Sequence, residues 1–276
     1  MASKNGKLAG RPRWALVTGA SAGIGREFCR QLAERGYQLV LVARRTERLE
    51  ALAGELEDAH GVHCLVITAD LSIADAGARI TASLEEAGIA VDFLVNNAGY
   101  GLPGSFHVST WQAHAAYIQL MVTCVCELTW RLLPGMQARG HGRIINVASV
   151  AGLAPASAGH TLYGASKAFL IKFSESLALE NVDKGVRVSA LCPGFTYSEF
   201  HDVNGTRAMI SKLPAYMWQQ AEDVVRCALE NMAGKNPKPV LVPGGYYKFI
   251  LFMYRHLPWL VNKLMARNAR HYRITE

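Results

Sequence analysis

From Trp14 onward the chain alternates short apolar runs with longer stretches of helical periodicity. The runs are Trp14–Thr18, Gln38–Ala43, Val62–Ala69, Val91–Asn96, Gly142–Ala148, Val186–Cys192 and Pro239–Val242. Leu39-Val40-Leu41-Val42 is apolar at every position, as a strand covered on both faces must be. Regular alternation of such strands with helices predicts an α/β fold, a doubly wound parallel sheet of about seven strands with helices on both faces. No repeat, low-complexity tract or Pro/Gly/Ser linker divides residues 14–243, which therefore read as a single domain. Residues 1–13 form a basic polar arm, and 244–276 a basic amphipathic segment.

Composition changes this picture little. Half of the 276 residues are hydrophobic and 18% are charged, which excludes a disordered chain. The net charge of +7 suggests nucleic acid until it is located. Lys4, Lys7, Arg11 and Arg13 stand without an acid in 1–13, and six cations oppose Glu276 in 244–276, leaving the body at −2. A near-neutral body argues against a nucleic-acid face. The six cysteines lie scattered in apolar segments with no secretory signal, so reduced thiols in a cytoplasmic protein are expected. Cys124-Val-Cys126 lacks the spacing and the second ligand pair of a metal site, and none is expected.

The chemistry begins where the first strand runs into Thr18-Gly19-Ala20-Ser21-Ala22-Gly23-Ile24-Gly25, with a helical pattern following at once. Three glycines between strand and helix allow a tight turn and close backbone approach to a pyrophosphate, and the helix start adds partial positive charge. Sites for NAD place Asp or Glu at the end of the second strand to hold the ribose hydroxyls. Here that strand ends in Ala43 and is followed by Arg44 and Arg45, guanidinium groups that suit a 2′-phosphate. NADP(H) is the cofactor this predicts; two solvated surface arginines are the alternative.

The Gly-x-x-x-Gly-x-Gly spacing differs from the common dinucleotide fingerprint. Together with Asp70 after the third predicted strand, Asn96-Asn97-Ala98-Gly99 after the fourth, Ser149 after the fifth, Tyr163-Gly164-Ala165-Ser166-Lys167 between the fifth and sixth, and Pro193-Gly194 after the sixth, it resembles the short-chain dehydrogenase/reductase family. Leu41-Val42-Ala43-Arg44-Arg45 and Val242-Pro243-Gly244 look most like a bacterial oxidoreductase branch of it. The resemblance implies a Rossmann-type fold, a homodimer or homotetramer, and a cofactor held at Gly19, Ser21, Gly23, Ile24 and Gly25. It further implies Asp70 and Leu71 by the adenine, Asn97, Ala98 and Gly99 by the adenosine ribose, and Pro193, Gly194, Thr196 and Ser198 toward the nicotinamide.

Tyr163 and Lys167 are four residues apart on a helical stretch and share a face. A phenol with an ordinary pKa near ~10 is a poor proton donor at neutral pH, and a neighbouring ammonium is expected to lower it. Tyr163 is thus the expected acid, and Ser149 the group that holds the substrate oxygen. Lys167 tunes Tyr163 and also binds the nicotinamide ribose. The family usually places an asparagine on the helix before Leu132-Leu133-Pro134; this chain has Met121 there, a weak acceptor without a donor.

In the C-terminal segment Lys248, Arg255, Lys263, Arg267, Arg270 and Arg273 fall on one helical arc, with Leu257, Leu260, Val261 and Leu264 largely opposite. It reads as a helix over the substrate cleft or against another subunit, with contact of 246–273 with a membrane surface as the alternative. The expected activity is NADPH-dependent reduction of an apolar ketone, or oxidation of the corresponding alcohol. Its rival is an NADP(H)-binding interaction module in which Met121 marks lost catalysis.

Overall fold

The computed structural model describes residues 11–156, 158–159, 161–200, 213–257 and 259. Its strands are β1 (Trp14–Thr18), β2 (Gln38–Ala43), β3 (Cys64–Thr68), β4 (Val91–Asn96), β5 (Gly142–Val147), β6 (Val186–Leu191) and β7 (Val240–Leu241). All pair in parallel, in the order β3-β2-β1-β4-β5-β6-β7. The helices are α1 (Gly23–Glu34), α2 (Thr46–His60), α3 (Ala76–Glu86), α4 (Trp111–Ile118), α5 (Cys124–Arg139), α6 (Thr161–Glu180), α7 (Ala221–Ala233) and α8 (Gly245–His256).

The uninterrupted apolar strands follow from this layering. Leu39 and Leu41 enter one core with Phe28 and Leu32 of α1, Leu49 and Leu56 of α2, and Val225 of α7. Val40 and Val42, on alternate positions, enter the other with Ile80 of α3 and Leu128 and Met136 of α5. The chain leaves β1 toward β2 on one side and resumes at β4 on the other, so a crevice opens outside the carboxyl ends of β1 and β4. Ligands of open α/β sheets bind at such a switch point.

One expectation changes at the edges. The arm's last residues are docked: Arg11 pairs with fully buried Asp92, and Arg13 lies over the Tyr37 ring at 4.6 Å. At the other end only the first part of the C-terminal segment is described, and in α8 Phe249 and Phe252 are exposed alongside Lys248 and Arg255 while Tyr247 is buried. Lys263, Arg267, Arg270, Arg273, Leu260, Val261 and Leu264 lie outside the described residues. The helical run Trp111–Arg139 is long and apolar enough to cross a membrane, yet Tyr117, Met121, Leu128 and Met136 within it are buried in the fold.

Candidate active site

The glycine turn sits at the mouth of the crevice. Gly19 and Gly23 have φ of +68° and +54°, backbone that side chains other than glycine rarely adopt. A Cβ on Gly25 would lie 2.2 Å from the Gly19 carbonyl oxygen, so only glycine lets α1 start this close to β1. Thr18 Oγ1 accepts from the Asn97 and Ala98 amides at 2.9 and 3.0 Å, and Asn97 Nδ2 donates to the Thr18 carbonyl at 2.9 Å. These bonds lock the ends of β1 and β4 together. Ala22, at the N-cap of α1, makes no side-chain capping bond, and the first turn carries no acid. The amides at this helix start are thus available to an anion. Ile24 faces the α1 core.

At the adenosine end Arg44 and Arg45 follow β2 and are exposed, and Asp70 follows β3. Asp70 accepts from the Ser72 amide at 2.9 Å and from its hydroxyl at 2.7 Å. The backbone bond, helped by the Arg44 charge, holds the Asp70 carboxyl below its ordinary range. Leu71 beside it is buried. Arg45 donates Nε and Nη2 to Ser21 Oγ at 3.3 and 3.0 Å, tying the predicted phosphate arginine to the glycine turn. Turn, helix start and arginines therefore suit a dinucleotide phosphate: amides without side-chain caps, no acid in the first turn, and cations above.

Past the crevice, β5 delivers buried Ser149 and α6 delivers Tyr163 and Lys167 to the same place. Ser149 Oγ accepts from the Ala151 amide at 3.1 Å and stands near enough to Tyr163 to influence its phenol. Lys167, one turn on, is buried; its Nζ donates to the Val147 carbonyl at 2.8 Å and lies 5.7 Å from the Tyr163 ring centroid. Burial pulls the Lys167 pKa down to about 8, while Cys192 pushes it up to a lesser degree. The expected lowering of Tyr163 is not found. Burial raises its pKa, the nearby Ser149 hydroxyl opposes this only in part, and the ammonium is turned onto a backbone carbonyl.

Met121 lies where the helical run between α4 and α5 passes through a π-helical turn, Gln119–Thr123, a distortion common at functional sites. It is 1% exposed, and its Sδ would be 2.9 Å from a Cβ on Gly99. Pro193 accepts from the Val150 amide at 3.0 Å, which holds the end of β6 against the Ser149 segment. Thr196 Oγ1 donates to the Gly194 carbonyl at 3.1 Å. Ser198 lies not only beyond β6 but on the glycine turn, its Cβ 2.9 Å from where a Gly23 side chain would begin.

Residues 13–207 match the family described as short chain dehydrogenase, which is well over half of the sequence. The chain belongs to the short-chain dehydrogenase family. Among its relatives is a very-long-chain 3-oxoacyl-CoA reductase of Anas platyrhynchos, 34% identical over 93% of this chain and 80% of the relative. A second reductase of that kind is matched over only 58% of its length. Of solved structures, a short-chain dehydrogenase from Sphingobium yanoikuyae in complex with NADPH superimposes with a TM-score of 0.77 at 32% identity, over 96% of both chains. The bulky-bulky ketone specific alcohol dehydrogenase from Comamonas testosteroni gives 0.73 at 31%, over 96% and 95%.

Within this short-chain dehydrogenase, three features of the site were not legible in the sequence. Glu199 reaches back to Arg45 and Arg48, Tyr247 of α8 supports Gly194, and a buried chain Asn96–Asn146–Ser174 braces β4 and β5 against α6. The first rests on a lone acid in a loop and the second on one tyrosine among several, and nothing in their spacing marks them. Phe200 lies 5.9 Å from the Tyr163 ring, and three residues earlier Tyr197 stacks on Trp218 at 4.7 Å.

Proposed function

We propose that the protein is an NADPH-dependent reductase of apolar ketones, acting in reverse as a dehydrogenase of the corresponding secondary alcohols. It is an oxidoreductase of CH–OH and carbonyl groups with NADP(H) as cofactor, in keeping with its family and with the NADPH-bound relative. The observation that carries the reading is the placing of Lys167 Nζ, buried and bonded to the Val147 carbonyl beside Ser149, 5.7 Å from the Tyr163 ring. NADP(H), when bound, supplies or accepts the hydride. Ser149 donates to the substrate oxygen and fixes it; Tyr163 gives that oxygen its proton during reduction and takes one back during oxidation. Lys167 holds its charge beneath the ring and stabilises the phenolate left behind. Gly19, Ser21, Gly23, Gly25, Arg44 and Arg45 hold the phosphates; Asp70, Asn97, Ala98 and Gly99 line the adenosine, and Gly194, Thr196 and Ser198 the nicotinamide side.

An apolar substrate is favoured by the Phe200 ring, 5.9 Å from that of Tyr163. α8 adds exposed Phe249 and Phe252 next to Lys248 and Arg255, a combination suited to a second subunit or to an anionic membrane surface. Flotation with phosphatidylserine vesicles and light scattering separate these two.

The deciding experiment is a screen of NADPH oxidation over chemically diverse ketones with Tyr163→Phe as control. A bulky apolar ketone should turn over, and the variant should bind NADPH but lose roughly 10²-fold or more in kcat, the scale of a lost general acid. Stoichiometric NADPH binding with no turnover of any carbonyl would favour the interaction-module reading instead.

A further inference from the structure

Glu199 stands eight residues beyond β6, and its carboxylate lies on the arginines that follow β2. Arg48 Nη1 donates to its two oxygens at 2.9 and 2.8 Å, and Arg45 Nη1 donates at 3.1 Å. Arg45 bonds Ser21 of the glycine turn, and Ser198, the neighbour of Glu199, lies on Gly23. A closed chain of contacts thus runs from turn to arginines to the 196–200 segment. The pairs are exposed, 42–50% on the arginine side and 46% on the acid, which makes them weak and breakable. A carboxylate bridging two guanidinium groups occupies the same donors that a phosphate would take.

We propose that Glu199 is an internal competitor for the 2′-phosphate of NADP(H), held by Arg45 and Arg48 until the phosphate takes those donors. Its release unties the β2 arginines from the residue next to Phe200, whose ring lies 5.9 Å from that of Tyr163, so occupancy of the phosphate site reaches the substrate side through residues 199–200 while 196–197 stay bonded to Gln219. This rests on the NADP(H) reading above and adds Arg48 and Glu199 to the groups that discriminate the phosphorylated cofactor.

The test is calorimetric titration of the full chain with 2′,5′-ADP and with 5′-AMP, which differ only in the 2′-phosphate, in the parent, Glu199→Gln and Glu50→Gln. Glu199→Gln should tighten 2′,5′-ADP by roughly 5-fold, the scale of an exposed ion pair removed from competition, and leave 5′-AMP unchanged. Glu50→Gln removes a charge from the same helix, α2, and should change neither, which separates competition for the donors from a general change in field. Equal or weaker 2′,5′-ADP binding by Glu199→Gln, or an equal gain in Glu50→Gln, overturns the proposal and leaves the cofactor reading standing. A parent that binds 2′,5′-ADP no better than 5′-AMP overturns both.

Discussion

The Tyr247 ring occupies the place where a side chain on Gly194 would begin: a Cβ there would be 1.9 Å from its Cζ. The Tyr247 hydroxyl accepts from the Phe195 amide at 2.9 Å and donates to the Met217 carbonyl. One residue of the C-terminal helix thus supports the segment that carries Thr196 and Ser198. Tyr247→Phe removes both bonds of the hydroxyl and should cost about 1–3 kcal/mol. Gly194→Ala drives a methyl into the ring and should cost more, with a raised Km for cofactor. Thermal melts of both variants check the order; a Gly194→Ala protein as stable as the parent would contradict the contact.

A second prediction concerns the buried amides. Asn146, with no exposed surface, accepts from Asn96 Nδ2 at 2.8 Å and donates to Ser174 Oγ at 2.9 Å. Asn146→Leu puts a bulkier branched alkyl group in a fully buried place and leaves the Asn96 amide one partner short, costing about 1–3 kcal/mol for each group unpaired on top of any overpacking. The denaturation midpoint should fall, whereas the double variant Asn96→Leu/Asn146→Leu should lose less than the sum of the two single changes.

These two contacts also mark the limit of what the sequence reveals. Strand ends such as Thr18 and Asn96 are readable because each apolar run stops where burial stops, and the motifs that follow them arrive at one edge of the sheet for that reason. Tyr163 and Lys167, four apart on α6, lie close together, with Lys167 Nζ 5.7 Å from the Tyr163 ring. Tyr247 and Phe195, 52 residues apart, and Arg48 and Glu199, 151 apart, meet only through tertiary packing, which no local pattern encodes. The Tyr163 shift runs opposite to expectation for a related reason. Proximity of Lys167 is legible, but desolvation of the phenol and capture of the ammonium by the Val147 carbonyl are not.

Lys167 gives a pH prediction with a definite sign. Buried Lys167 loses its proton near pH 8, whereas in the unfolded chain it does so near the ordinary 10.5. Between these values the unfolded chain binds more protons, so this group makes stability rise with pH, by up to about 1.4 kcal/mol per pH unit. Below pH 8 the charged lysine stays buried and the gain is absent. The unfolding free energy of the parent minus that of Lys167→Met, measured from pH 7 to 10, should be flat at first and then climb. A difference that stays level throughout would mean that Lys167 keeps its charge in the folded protein.

The last prediction concerns Met121, fully buried in the π-helical turn with its sulfur against Gly99. The family resemblance places an asparagine here, whose amide would hold water near Lys167 and give the proton of Tyr163 a path to solvent. A thioether has no donor and is a weak acceptor, so any such path in this chain must bypass position 121. Met121→Asn sets two effects against each other. It supplies the missing polar group, and it removes a packed side chain while burying an amide, at a cost of about 1–3 kcal/mol if the amide finds no partner. If proton resupply limits turnover, kcat should rise and the solvent isotope effect should shrink relative to the parent, despite a lower melting temperature. If packing against Gly99 is what Met121 does, the melting temperature should fall with no gain in rate, and Met121→Leu, which restores apolar volume without the amide, should recover most of the loss. A Met121→Asn protein as stable as the parent and no faster would show that this position neither limits proton transfer nor supports the fold around Gly99.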